Sequence, residues 1–378
     1  MKYPKLNLTL IIFLTVLLAP GLLAAQMTNV SKDFDGFSGE GTLNVRMASG
    51  DVSVSVRSTG GVQVQVVNID QRDTEHLNIY KEDNAVYVVF DPDNGRSDAR
   101  FNITVPTAFH QDITTAGGDV SISGDVLGNI KAKTAGGDIS TDDIGGDVTL
   151  KTAGGDIRLG VAGGNAVVMT AGGDISAKSV AGTLEAKTSG GDINVGDVGS
   201  ELRATTAGGD IELGNVDGAA YVGTAGGDVI LGKVAGTVEA KTAGGDIKLS
   251  SANGKVMAKT AGGDLDLRNV TGSIEGKTAG GDIVAELSPT GSDPSELTTA
   301  GGDIQVYIPT GAQVQIQARI KIQGNWERRS EEHGIYRNSQ KVGQKKASTD
   351  EITATLGSSG PVIRLETVNG DIRIDDQH

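Results

Sequence analysis

The chain contains no cysteine, which excludes disulfides, thiolate metal sites and a lipid-modified N-terminal cysteine. Stability has to come from packing and backbone hydrogen bonds. Aromatic residues are only 3% of the sequence, with a single Trp, so any core must be built from Ile, Val, Leu and Ala. Basic residues are also in short supply: 33 Lys and Arg stand against 48 Asp and Glu. Such a surface disfavours nucleic acid, whose phosphates select clusters of Lys and Arg, and adsorption to anionic headgroups. The four histidines, His76, His110, His333 and His378, are scattered without metal-ligand spacing. No cofactor is implied.

At the N-terminus Lys2 and Lys5 precede an apolar run from Leu6 to Leu18, followed by small residues up to Ala25. This is the pattern of a secretory signal over residues 1–25, cleaved near Ala24 or Ala25. An uncleaved anchor is the competing reading, because residues 6–25 are long enough to cross a bilayer. Pro20 and Gly21 break the run where a cleavage region belongs. Removal leaves 31 basic and 48 acidic residues, a formal charge of −17, and no membrane span in the mature chain. The expected destination is the periplasm, the cell surface or the medium.

What the sequence has in abundance is glycine, 56 residues of it, and the glycine is periodic. The string Thr-Ala/Ser-Gly-Gly-Asp occurs eleven times, its Asp at 119, 138, 156, 174, 192, 210, 228, 246, 264, 282 and 303. Eight consecutive spacings are 18 residues; the first is 19 and the last 21, the latter carrying Pro289 and Pro294 in what reads as a small loop. The residue after each Asp is apolar, and in most coils the one two places on is apolar as well, the alternation of a half-buried strand. A Gly-containing bend follows, as at Gly182 or Gly236, and a second alternating run such as Val238, Ala240, Thr242 leads to the next pentapeptide. Strands this short bury a face only by stacking, coil on coil, about 4.8 Å apart. The fold expected is all-β: a parallel β-solenoid, or β-helix, of 18-residue coils at 111–303, roughly 50 Å of it at that spacing. The crossover rule makes right-handed winding the default.

A solenoid's open ends invite fibre growth unless covered, and both flanks read as β-rich caps. Residues 26–110 alternate strongly, as in Val52, Val54, Val56 and Val62, Val64, Val66; residues 304–378 begin and end in strands around a charged insert at 325–351. Ser-Gly-Asp-Val at 49–52, Val-Pro at 105–106, the repeats, Ile-Pro at 308–309 and Thr-Val-Asn-Gly-Asp-Ile at 367–372 together resemble the bacterial "putative adhesin" β-strand-repeat family, over roughly residues 37–376. The resemblance implies an all-β solenoid in an exported or envelope-associated protein, some members being tied to envelope-stress systems. It supplies no catalytic motif.

The repeated residues are the first candidates for chemistry. Carboxylates stacked one coil apart repel by roughly 0.9 kcal/mol per pair in a water-like dielectric, so something must offset them. Calcium is one answer, as in Gly-Gly-x-Gly-x-Asp rolls, but the x-Gly-x spacer is missing here. The favoured answer is an Asp that accepts hydrogen bonds from its own turn or from a nearby Thr. The Thr four residues before each Asp shares parity with inward Val and Ala, which places its hydroxyl at a corner, serving the turn instead of recognising ice or sugar. Lys133, Lys151, Lys187, Lys241, Lys259 and Lys277 alternate outward as a solvated face that discourages edge pairing. No Gly-Lys-Ser/Thr follows the glycine turns, so they are not phosphate loops.

Some β-helices are polysaccharide lyases or hydrolases, yet that chemistry needs an unrepeated carboxylate pair with divergent pKa values. Here the acids are mostly one Asp repeated. The expectation is a non-catalytic exported envelope or cell-surface protein, adhesin-like or a scaffold, with an unknown surface, glycan or protein ligand; the alternative is a component of an envelope-stress response. One stretch departs from strand and turn composition, residues 325–351. There Trp326, Arg328, Arg329, Tyr336 and Arg337 concentrate basic and aromatic character, the kind that dominates interface energetics, and they are the candidate partner contact. A solvated loop is the plain alternative.

Overall fold

The computed structural model describes residues 26–93, 95 and 97–377; the secretion signal read at 1–25 lies outside them. The fold is a parallel β-solenoid, and the chain divides after Ala181 into two compact units.

In the first unit each repeat supplies one short strand to each of two sheets. Ile130–Lys133, Val148–Lys151 and Ala166–Met169 stack in parallel in one, with Ile130 opposite Val148 opposite Ala166. Val120–Ser123, Ile139–Thr141, Ile157–Ala162 and Ile175–Val180 stack in the other. The shift of one repeat brings every inward residue under its counterpart. The rows Ile139/Ile157/Ile175 and Ala132/Leu150/Val168 are therefore buried together. Amides reach across coils, Ile139 N–H to Asp156 O at 2.9 Å and Ile157 N–H to Asp174 O at 2.9 Å. Two polar side chains, Gln111 and Thr141, interrupt the apolar rows from inside.

Beyond Val120 the stacking continues with residues from far earlier in the chain. Thr42–Met47 lies parallel to His110–Thr115, and Asp51–Arg57 lies parallel to Val120–Ser123. On their other side sit Ala85–Phe90 and Arg100–Pro106, again parallel. Only then does the direction reverse: Leu77–Glu82 runs antiparallel to Ala85–Phe90, Val62–Asp70 to Arg100–Pro106, and Met27–Phe34 to Val62–Asp70. This end holds the bulky core: Phe90, Phe101 and Phe109 are fully buried, with Phe90 and Phe101 centroids 5.4 Å apart. Lys32 Nζ donates to Ile79 O and Lys81 Nζ to Asp35 O, each at 2.7 Å, which dresses the outermost strand of each sheet with charge.

The second unit repeats the scheme from Leu184–Lys187 and Ile193–Val198 onward, with Leu184, Leu202, Ala220, Val238, Val256 and Ile274 in one inward row. The 21-residue interval forms a loop between the strands Ile283–Leu287 and Ser295–Thr298. After Ile304–Pro309 the next coil comes from the end of the chain: Val362–Val368 lies against Ser295–Thr298 and Ile372–Gln377 against Ile304–Pro309. Gln315–Lys321 and Ile335–Arg337 stack on its far side. Antiparallel strands Glu351–Leu356 and Gln344–Lys346 close that sheet. Among the described residues no helix is long and apolar enough to cross a membrane.

Candidate functional site

The pentapeptide corner is the most repeated polar structure in the chain, and its geometry explains each residue in it. The Asp carboxylate does not fold back on its own turn; it reaches to the next coil. Asp138 N–H donates to Asp119 Oδ1 at 2.9 Å and Asp156 N–H to Asp138 Oδ1 at 2.8 Å in the first unit. Asp228 to Asp210, Asp246 to Asp228 and Asp264 to Asp246 repeat this at 2.8 Å in the second. A hydrogen bond to a charged acceptor contributes about 1.5–3 kcal/mol, which outweighs the mutual repulsion of neighbouring carboxylates in water. Cations relieve part of what remains: Arg158 touches Asp156 at 3.0 Å and Asp138 at 3.7 Å, and Arg373 touches Asp371 at 3.0 Å and Asp303 at 3.6 Å.

The Thr hydroxyl closes the same corner, in line with its inward parity. Thr152 Oγ1 donates to Gly137 O of the preceding coil at 2.8 Å and accepts from its own Gly155 N–H at 3.4 Å. The same pair of bonds recurs at Thr242, Thr260 and Thr278. Of the two glycines the second is the more tightly fixed. A Cβ on Gly137 would lie 2.1 Å from Gly118 O, whereas one on Gly136 meets nothing within 4 Å and one on Gly154 or Gly172 lies 3.2 Å from the carbonyl of the preceding coil's first glycine.

That distinction identifies two further members of the ladder which the eleven-fold count misses. Ser49-Gly50-Asp51 and Asn369-Gly370-Asp371 keep the second glycine and the Asp but replace the first glycine. Asp119 N–H donates to Asp51 Oδ1 at 3.1 Å, Asp371 N–H to Asp303 Oδ1 at 2.7 Å, and Thr367 Oγ1 to Gly302 O at 2.7 Å. Other corners use the same device with different residues. Asn129 Oδ1 accepts from Asp147 N–H at 2.9 Å, and Asp197 Oδ1 from Asn215 N–H at 2.9 Å. Among the described residues no group of three or more His, Asp or Glu is arranged to hold a metal ion.

The residues read as a partner contact occupy two small elements. Trp326 opens the helix Trp326–Glu332, which Asn325 caps by accepting from Arg328 N–H at 3.0 Å. Trp326 is half-buried; Arg328 is exposed and faces Glu332 at 3.5 Å. Arg329 follows on the same helix, half-buried, beside Gly324. Tyr336 and Arg337 lie on the strand Ile335–Arg337, where Arg337 is paired with Asp376. No ring contact joins Trp326 to Tyr336 among the described residues. The segment is not a detachable insert: Ile335 is fully buried and pairs with Ile372.

A second cluster lies on the outward face of the 184–241 coils. Registered strands there place Glu185, Arg203, Tyr221 and Glu239 in one row, and Lys187, Thr205, Gly223 and Lys241 in the row beside it. The Arg203 guanidinium sits 4.3 Å from the Tyr221 ring centroid, a cation–π contact. Together these eight residues line a shallow depression of about 480 Å³.

Two solved structures align with nearly the whole chain. A "putative cell adhesion protein" from Clostridium sporogenes covers 93% of this chain and 100% of its own, at 10% identity and a TM-score of 0.18. A "putative adhesin" from Bacteroides fragilis covers 92% and 97%, at 12% identity and a TM-score of 0.21. At such scores neither likeness bears on the argument. No curated protein matches the chain. The Toastrack DUF4097 family model matches twice, over residues 65–221 and 200–375, spanning the coils and most of both flanks, and the chain belongs to that family.

Proposed function

We propose that this is a non-catalytic, exported envelope or cell-surface protein, adhesin-like in role, whose solenoid is a scaffold for an outward ligand-binding face. The observation that carries the reading is the fate of the repeated carboxylates. They are occupied as acceptors for the next coil's backbone, so the chain's most conspicuous acids serve packing and not proton transfer. Membership of a family resembling adhesin-like repeat proteins and the export pattern at residues 1–25 support it. Pulldown with immobilised glycans, peptidoglycan and matrix proteins, run beside lyase and hydrolase turnover on the same polysaccharides, tests it. Binding without turnover is expected; turnover without binding would overturn the reading. Fractionation of a tagged chain with its own N-terminus tests export, with recovery outside the cytoplasm expected.

Trp326, Arg328, Arg329, Tyr336 and Arg337 are a proposed protein-contact surface within this role. Because Ile335 and Arg337 belong to the fold, the fitting test is substitution on the helix. Trp326→Ala with Arg328→Ala is expected to weaken a partner recovered by pulldown, and unchanged capture would remove this surface from the account.

A further inference from the structure

Among the outward positions of the repeated coils, one coil departs from the pattern twice on the same face. Tyr221 is the single aromatic residue between 111 and 303. Two residues on, Gly223 stands where neighbouring coils carry Lys187, Lys241, Lys259 or Lys277. Nothing in the backbone asks for that glycine. Its φ is not positive, and a Cβ there would meet only Lys241 O at 3.9 Å. Glycine inside a strand weakens it, and an unforced one marks a place where something else approaches the backbone.

Register turns the departures into a notch. Lys187, Thr205, Gly223 and Lys241 follow one another across four coils, so a short side chain and a missing one lie between two long ones. At about 4.8 Å per coil the two lysines stand roughly 14 Å apart, enough for a pyranose ring between them. Arg203 and Tyr221 form the adjoining wall. The charges do not favour an ion of either sign: Lys241 is paired with Glu239, and Arg203 with Glu201 at 2.8 Å, while Glu185 lies beside Lys187 on the same strand. What the notch offers is an aromatic ring ringed by hydrogen-bond donors and acceptors, without an apolar hole for a peptide side chain.

We infer that the notch at Tyr221 and Gly223 is a subsite for an uncharged sugar chain, with the Tyr221 ring face opposite the Arg203 guanidinium as its stacking surface and Lys187, Arg203, Thr205 and Glu239 as partners for ring hydroxyls. This rests on the surface-recognition reading above and gives it a ligand class and an address. The test is titration of the full chain with uncharged tetrasaccharides of glucose, galactose and N-acetylglucosamine, followed by NMR of the Tyr221 ring and the Gly223 amide. At least one is expected to shift both signals at millimolar concentration, as befits a shallow site. Gly223→Lys, which supplies the side chain carried at Lys187 and Lys241, is expected to weaken binding at least about tenfold without lowering the thermal midpoint, and Tyr221→Thr to weaken it as much. Silence from all three sugars, binding that survives both substitutions, or a preference for an acidic tetrasaccharide or a peptide at these signals would overturn it. If glycan or matrix pulldown succeeds with the Gly223→Lys protein, only this subsite falls and the broader function stands.

Discussion

Asp228 accepts the N–H of Asp246 at 2.8 Å and donates its own N–H to Asp210 at 2.8 Å, so one residue ties three coils. The bond needs an oxygen, not a charge. Asn129 and Asn215 already do the same work at other corners, holding Asp147 N–H at 2.9 Å and Lys233 N–H at 3.3 Å. Asp228→Asn should therefore leave stability within about 0.5 kcal/mol, whereas Asp228→Ala should lower it by about 1–2 kcal/mol by orphaning a backbone donor. Denaturant unfolding of the two variants decides; equal losses would mean that the charge, not the acceptor, matters. The glycines make a sharper pair. Gly136→Ala points into open space, but Gly137→Ala drives a methyl to 2.1 Å from Gly118 O. The first should be neutral, and the second should cost about 3 kcal/mol or more, because a backbone cannot step aside as a side chain can. Matching melting curves for the two would refute the corner geometry.

At the scale of strands, the sequence pattern was a good guide wherever contacts were one repeat apart. Period-two alternation located the strands, and the pentapeptide located one corner, because both are local consequences of a residue's neighbours. The end coils were not legible in this way. Asp51 meets Asp119 and Asp303 meets Asp371 across 68 residues of sequence, and no local pattern encodes a partner that distant. The surviving signal was Gly-Asp at 50–51 and 370–371, degenerate in the position that tolerates change. Of the candidate notch the sequence carries only Tyr221 as a lone aromatic among the coils; its partnership with Arg203 and Gly223 needs the register. The segment at 325–351 reads as an insert because its charge hides one buried apolar residue, Ile335. Ile372 N–H donates to Gly334 O at 3.1 Å, so bridging residues 327–348 with a short Gly-Ser linker should speed hydrogen exchange at Ile372 while Ile304, bonded to Asp371 on the other side, stays protected. Unchanged exchange at Ile372 would restore the detachable-loop reading. In the same end coil, burial would raise Glu366, but hydrogen bonds from Lys321 and Arg319 outweigh it and hold the carboxyl below its ordinary 4.5. Its stabilisation is therefore complete above pH 4.5 and disappears as the pH falls through the lowered value. Glu366→Gln should lower the thermal midpoint at pH 7 and flatten its fall below pH 4.5; an unaltered acid limb would deny the pair that role.

For the molecule as a whole, an excess of 48 acidic over 33 basic residues without a cysteine cross-link is compatible with a stable fold only if the acids are accounted for. Much of the repeated acid is, through bonds to backbone amides within each unit. The same arithmetic separates a self-supporting solenoid from a calcium-dependent one. One oxygen of the ladder carboxylates from Asp119 to Asp156 and from Asp192 to Asp303 is already committed, successive carboxylates lie a coil apart, and no metal-holding group of three occurs among the described residues. A calcium shell of six to eight oxygens is not assembled there. Calorimetry of the full chain in excess calcium and in EDTA puts this to the most direct test. The unfolding midpoints should agree within about 2 °C, since a ligand stabilises only what it binds; a separation of about 10 °C, or a chain that folds only with calcium, would contradict the account.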